Sequence, residues 1–322
     1  MTYFYLVLGF VLLTFCADAL VNGSSSIARR FNVSDIVIGL TIVAFGTSAP
    51  ELVVNIIASS QGSNEIAMTN ILGSNTLNTL LVLGLTALIS PIFATKRTLH
   101  HEVPLSIMAG FLVMVLASNI FGSVNIFGDI GLGHWDGVIL LLGFAYFLNY
   151  TIRCIINDKK RGTTVMDLPE TKDVKLWRAI VYIVVGLAGL VIGGELIVEN
   201  AVIIARNFGV SEAVIGVTVV AVGTSLPELA TSVVAAFHHN TELAIGNIIG
   251  SNIFNIFFIL GISSLIKPIA NYPNLMLDAS LATASSLLLL FYLLNDHNRE
   301  LSRIEGASMV LIYGFYIYLI LK

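Results

Sequence analysis

One block of this chain is used twice. Phe31 through Ile92 aligns without a gap onto Phe208 through Ile269, and roughly half of the paired residues are identical. Gly46-Thr47-Ser48-Ala49-Pro50-Glu51 matches Gly223-Thr224-Ser225-Leu226-Pro227-Glu228. Gly73-Ser74-Asn75-Thr76-Leu77-Asn78 matches Gly250-Ser251-Asn252-Ile253-Phe254-Asn255 at the same offset of 177 residues. Asp18 falls on Glu195 and Pro91 on Pro268 by that offset, so the likeness extends past the aligned block on both sides. Such a chain folds as two equivalent halves, and the open question is how the halves are oriented.

Hydropathy answers it. The chain is 56% hydrophobic and 11% charged, with mean hydropathy +0.90, far too little polar residue for a soluble protein of 322 residues. Apolar stretches of spanning length lie near 3–22, 36–60, 66–90, 104–122, 136–156, 178–203, 213–237, 242–266, 276–294 and 304–321. The expected fold is therefore an all-α integral membrane protein of ten transmembrane helices. A first five-helix repeat occupies 1–156, a cytoplasmic loop 157–177, and a second five-helix repeat 178–322. Five is odd, so equivalent helices cross the membrane in opposite directions and the repeats are inverted. With the N-terminus outside, the inner loops collect Arg29, Arg30, Lys96, Arg97, Arg153, Lys159, Lys160 and Arg161, with Lys172, Lys175, Arg178, Arg299 and Arg303. The outer side keeps only Arg206, Lys267 and Lys322. This bias places both termini outside and the chain, multi-pass, in a plasma (inner) membrane. The first apolar stretch lacks a basic start and a small-residue cleavage site, so it reads as a retained helix. Cys16 and Cys154 form no metal or disulfide pattern and read as small apolar residues.

The repeated motifs put expensive groups in the middle of the membrane. A proline inside a helix removes a donor and clashes with the carbonyl four residues back. Those carbonyls belong to Gly46 and Gly223, so spans two and seven are expected to be broken at Pro50 and Pro227. Broken backbone at that depth is tolerated only where protein buries it or a cavity takes it up. A glutamate follows each proline. An ionised carboxylate there must be paired, protonated or bound to a cation, and no lysine or arginine lies in the middle of any span. Helical spacing of four then brings Thr47 to Glu51, Ser74 to Asn78, Thr224 to Glu228 and Ser251 to Asn255. Oxygen groups without thiol or imidazole suit hard ions such as Ca²⁺ and Na⁺. Asn70, Asn75, Asn247 and Asn252 fit helix packing as well as ligation. Asp18 and Glu195 read as gating or interfacial residues, and His238-His239 as a solvated inner turn.

GTSAPE with GSNTLN, and GTSLPE with GSNIFN, resemble the two alpha-repeats of the sodium/calcium exchanger branch of the calcium/cation antiporters, in their compact prokaryotic form. The resemblance covers the whole chain. It implies one divalent and several monovalent sites built from both repeats. The implied ligands are Glu51, Glu228, Thr47, Ser48, Ser74, Asn78, Thr224, Ser225 and Ser251, with the backbone carbonyls of Ala44 and Ala221. Well-known members carry an aspartate where this chain has Asn255; here both Asn78 and Asn255 are amides, leaving two carboxylates in the core. The resemblance further implies that spans one and six move against the rest.

The expected function is a secondary antiporter that exchanges Ca²⁺ for Na⁺ by alternating access at a midplane site. Its alternatives are a proton-coupled exchanger of Ca²⁺ or another cation and, more remotely, a cation channel. No catalytic histidine pair, zinc-type helix motif or serine–lysine dyad points to an enzyme. The expected partners are Ca²⁺ and Na⁺, with H⁺ or K⁺ as other coupling ions, and the lipid bilayer. No cofactor and no nucleic acid are expected, and the chain is expected to work as a monomer.

Overall fold

The computed structural model describes residues 1–62, 64–118, 130–161, 174–210 and 221–321. Among the described residues, ten helical segments follow one another, counting the bent pair and the two pieces of span 7 as one each. Spans 1 to 5 are Thr2–Phe31, the bent pair Asp35–Thr47 with Ala49–Gln61, Ile66–Ile89, Thr98–Ala117 and His134–Lys159. Spans 6 to 10 are Leu176–Asn207, the pieces Ala221–Thr224 and Leu226–Phe237, then Thr241–Ile266, Leu275–Asn295 and Arg303–Ile320. Eight of these are long and apolar enough to cross a membrane unaided, and the bent pair makes a ninth. The first half of span 7, most of the central loop and the end expected for span 4 lie outside the described residues.

Burial sorts the spans into a centre and a periphery. In spans 3 and 8, 78% and 83% of the apolar window is buried, against 22% in span 5 and 17% in span 10. The centre is thus spans 2, 3, 7 and 8, the segments that carry the repeated motifs. Peripheral spans turn apolar side chains outward, for example Phe4, Phe10 and Phe15 on span 1 and Trp177, Val184 and Ile192 on span 6. In a membrane those faces meet lipid at no cost.

Spans 1 and 6 lie against each other, and small residues allow it. A Cβ on Gly9 would stand 2.9 Å from the Gly193 carbonyl, and one on Gly186 2.8 Å from the Cys16 carbonyl. Backbones this close leave no room for larger side chains. The pair touches the centre through Gly46, which abuts Leu187, and Gly223, which abuts Val198.

Two small strand pairs tie the halves together. Ile92–Phe93, after span 3, pairs antiparallel with Glu300–Leu301, before span 10. Ile269–Ala270, after span 8, pairs with Ile130–Leu132, before span 5. Ile92 and Ile269 are repeat equivalents, so the same device recurs at opposite faces, as inverted repeats require.

Candidate functional site

The helix breaks fall two residues ahead of the prolines. Ser48 (φ −82°, ψ 10°) separates Ala44–Thr47 from Ala49–Gln61, and the segments Asp35–Thr47 and Ala49–Gln61 meet at 46°. Ser225 (φ −92°, ψ 9°) separates Ala221–Thr224 from Leu226–Phe237. Pro50 and Pro227 sit at the second position of the new helices, where a missing N–H costs nothing. The expected break at each proline is therefore displaced to the preceding serine. The helix stops where proline forbids the i−4 bond and restarts early enough for proline to stand in its first turn.

Each break aims its serine at the other repeat. The Ser48 hydroxyl donates to Glu228 Oε1 at 2.8 Å, and the Ser225 hydroxyl donates to Glu51 Oε1 at 3.3 Å. These are one contact seen from both halves. Ser251 adds a donor to Glu228 Oε1 at 3.4 Å and lies equally far from the Ala44 carbonyl. Thr47 lies 3.3 Å from that same carbonyl and donates to Asn247 Oδ1 at 3.1 Å. Thr224 contacts the Glu51 carboxylate, and Ala221 opens the short helix that carries it.

Spans 3 and 8 cross through their asparagines. Asn255 Nδ2 donates to Asn75 Oδ1 at 3.1 Å, and Asn78 Nδ2 to Asn252 Oδ1 at 3.4 Å, again one bond read from each repeat. Asn75 Nδ2 also reaches the Asn252 carbonyl at 3.1 Å, and Asn252 Nδ2 the Thr79 hydroxyl at 2.9 Å. Asn75 and Asn252 are thus spent on joining the repeats. Both helices widen into π-turns directly after the motif, at Asn78–Val82 and Asn255–Leu260. Such turns leave carbonyls imperfectly bonded and recur at functional sites.

What the protein leaves unsatisfied defines the site. Glu51 and Glu228 are both 0% exposed. Among the described residues, Glu51 Oε2, Glu228 Oε2, Ser74 Oγ, Asn78 Oδ1 and Asn255 Oδ1 are buried without a hydrogen-bond partner. A buried polar atom without a partner costs on the order of 1–3 kcal/mol, and these five oxygens all belong to the two repeated motifs. Thr231 Oγ1 is also buried and unpartnered. It was not among the expected residues, although it follows Glu228 by three and shares its helix face. Stacked Phe45 and Phe254, 4.5 Å apart, with Phe144 and Phe258 behind, form an apolar wall at this level.

The two sides of the centre are closed differently. A cavity of about 330 Å³ between spans 2, 6 and 7 reaches Gly223 and Thr224, and Glu195 and Glu199 line it. At the other face His238 Nε2 lies 2.7 Å from Asp18 Oδ1, and Asn22 donates to Asp18 Oδ2 at 3.0 Å. His238 thus meets span 1 through Asp18 while its side chain stays 38% exposed. Asp18 and Glu195 are equivalent by sequence, yet one contacts a histidine and the other faces a cavity.

Two interlocked inverted halves that converge on paired buried acids are the architecture of a secondary membrane transporter. The chain belongs to the sodium/calcium exchanger protein family, whose model matches residues 1–153 and 178–322. CaxA of Alkalimonas amylolytica is 39% identical over 98% of this chain and 97% of its own length. The sodium/calcium exchanger MaX1 of Methanosarcina acetivorans is 33% identical over 97% of this chain and 96% of its own. Among solved structures, the sodium-calcium exchanger NCX_Mj, soaked with 2.5 mM Na⁺ and 10 mM Sr²⁺, superposes with a TM-score of 0.81 at 32% identity, covering 98% of each chain.

Proposed function

We propose that the chain exchanges Ca²⁺ for Na⁺ by alternating access, binding both ions at the junction of its two repeats. The ligands in this reading are the carboxylates of Glu51 and Glu228, with oxygens of Thr47, Ser48, Ser74, Asn78, Thr224, Ser225, Ser251 and Asn255. The carbonyls of Ala44 and Ala221 complete the set. One observation carries it: among the described residues, Glu51 Oε2, Glu228 Oε2, Asn78 Oδ1 and Asn255 Oδ1, all in the repeated motifs, are buried and unpartnered. Hard cations that take six to eight oxygens use such groups.

The carboxylates limit the charge balance. Two negative charges match one Ca²⁺ or two Na⁺, so the ions compete for the same acids. Competition for shared ligands couples the two fluxes when only the loaded site changes sides, and two bare carboxylates at mid-membrane disfavour that change in the empty chain. A third Na⁺ would be held by neutral oxygens alone, since residue 255 is an amide.

Access in this reading comes from spans 1 and 6 sliding across the ends of spans 2 and 7. The glycine contacts of the pair with the centre, at Gly46 and Gly223, lie beside the two helix breaks. In this reading, which the basic loops support, the central loop and the Asp18–His238 contact lie on the inner side of a plasma membrane, and the cavity beside Glu195 on the outer side. Both termini are then outside, and the chain acts as a monomer. The deciding experiment is Ca²⁺ flux in proteoliposomes with Na⁺, K⁺ and proton gradients imposed separately. Flux that follows Na⁺ alone is expected. Flux that follows the proton gradient and ignores Na⁺ would overturn the choice of coupling ion.

A further inference from the structure

The face that carries the central loop holds a second concavity, remote from the glutamates. It has a volume of about 560 Å³ and lies where spans 4 and 5 part. Lys96, Arg97, His100, His101, Arg153 and the acidic Asp158 stand around it. Towards the membrane centre it continues as a narrower groove of about 200 Å³, sharing His100, His101, Tyr146 and Tyr150 and otherwise lined by Pro104, Leu105 and Met108. Polarity thus changes along the groove. From Lys96 to Met108 the helix rises about 18 Å, which is the distance from a headgroup into the acyl region.

The wall of this concavity is fixed by bonds. Arg97 is held by Glu102 Oε1 at 3.0 Å and Asp158 Oδ1 at 3.2 Å, and it donates to the Ser34 hydroxyl at 3.1 Å. Tyr150 donates its hydroxyl to Glu102 Oε1 at 2.8 Å. Arg97 is therefore fully engaged, and the two carboxylates leave its cluster with one excess negative charge, outnumbered by Lys96 and Arg153 at the rim. Among the described residues, Lys96 and Arg153 have no carboxylate partner, and both are exposed at the rim. A π-turn at Thr98–Glu102 widens the helix where His100 and His101 stand.

We propose that this groove holds an anionic phospholipid, with its phosphate between Lys96 and Arg153 and an acyl chain along Met108 and Tyr146. Charge complementarity selects the headgroup. Two unpaired cations at the end of spanning helices attract anionic lipid, whereas a zwitterionic headgroup brings its own positive charge. The deeper part selects a lipid over a soluble anion. Met108 and Tyr146 are 51% and 61% exposed on membrane-embedded helices, a surface that an acyl chain covers and a free phosphate does not. The inference is independent of which ions are carried, because it uses neither glutamate.

The test is lipid retention by the full chain, read by native mass spectrometry of detergent-solubilised protein titrated with phosphatidylglycerol or with phosphatidylcholine of the same acyl chains. Preferential retention of phosphatidylglycerol is expected. Each cation near the surface contributes about fivefold in affinity, so Lys96→Gln with Arg153→Gln should weaken phosphatidylglycerol about 25-fold and leave phosphatidylcholine unchanged. Met108→Trp, which fills the groove without touching charge, should weaken it as well. Equal retention of the two lipids, or wild-type retention by the double variant, would overturn the proposal. Displacement of the lipid by an equal concentration of glycerol phosphate would also overturn it, by making the groove a site for a soluble anion.

Discussion

Glu228→Gln separates the site from the scaffold. Glu228 Oε1 accepts from Ser48 at 2.8 Å and from Ser251 at 3.4 Å, and Oε2 has no partner. Glutamine keeps an oxygen for both donors and places its amide where the protein offers nothing, so the fold loses no hydrogen bond. In the proposed reading, the cation loses a full charge. A divalent ion about 4 Å from a carboxylate, at an effective dielectric near 20, gains roughly 8 kcal/mol. If about half of that is offset by lost hydration, some 4 kcal/mol remains, or about a thousandfold in affinity. The assay has two arms. Radioactive Ca²⁺ uptake into proteoliposomes under an outward Na⁺ gradient should fall to background. Thermal unfolding should show about 2.7 kcal/mol of stabilisation of the wild type at a hundredfold excess of Ca²⁺ over its Kd, and under about 0.1 kcal/mol for the variant at the same concentration. A variant that folds normally, transports within threefold of wild type and is still stabilised by Ca²⁺ would refute the reasoning.

Three further outcomes follow from the same geometry. Ser48→Ala should cost more Ca²⁺ affinity than Ser225→Ala, about tenfold for the first, because the Ser48 bond is the shorter of the two; equal losses in a binding titration would show that this asymmetry is unimportant. Asn255→Asp adds a third carboxylate and should shift the reversal potential of exchange currents, since each charge moved is worth about 2.3 kcal/mol per 100 mV; an unchanged reversal potential would remove residue 255 from the ions' neighbourhood. His238→Ala severs the contact to Asp18, a partly exposed pair worth about 1 kcal/mol or less, so labelling of cysteines introduced near Asn22 should rise no more than about fivefold. Protection unchanged in that experiment would mean the contact does not hold the face shut.

Much of the architecture was legible because it depends on local pattern. Span length, the parity of five and the positions of the glutamates need only hydropathy and an internal alignment. The break was misplaced by two residues, because sequence marks the proline while the strain is relieved upstream, at Ser48 and Ser225. Thr231 escaped notice since nothing in an apolar helix distinguishes a threonine that bonds its own backbone from one with a bare hydroxyl.

The amino-acid order alone determined that two copies of one unit stand inverted in a membrane and that each carries a buried acid with no cationic neighbour. Only the tertiary structure decided which groups meet. Ser48 reaches Glu228 across 180 residues and Ser225 reaches Glu51 across 174, so each repeat satisfies half of the other's acid. Equivalence of sequence likewise could not say that Ser251 is bonded while Ser74 is bare, or that Asp18 contacts a histidine while Glu195 faces a cavity. Hydropathy and periodicity act over a few helical turns, whereas these differences arise from how two identical plans interlock in one conformation of a molecule built to have two.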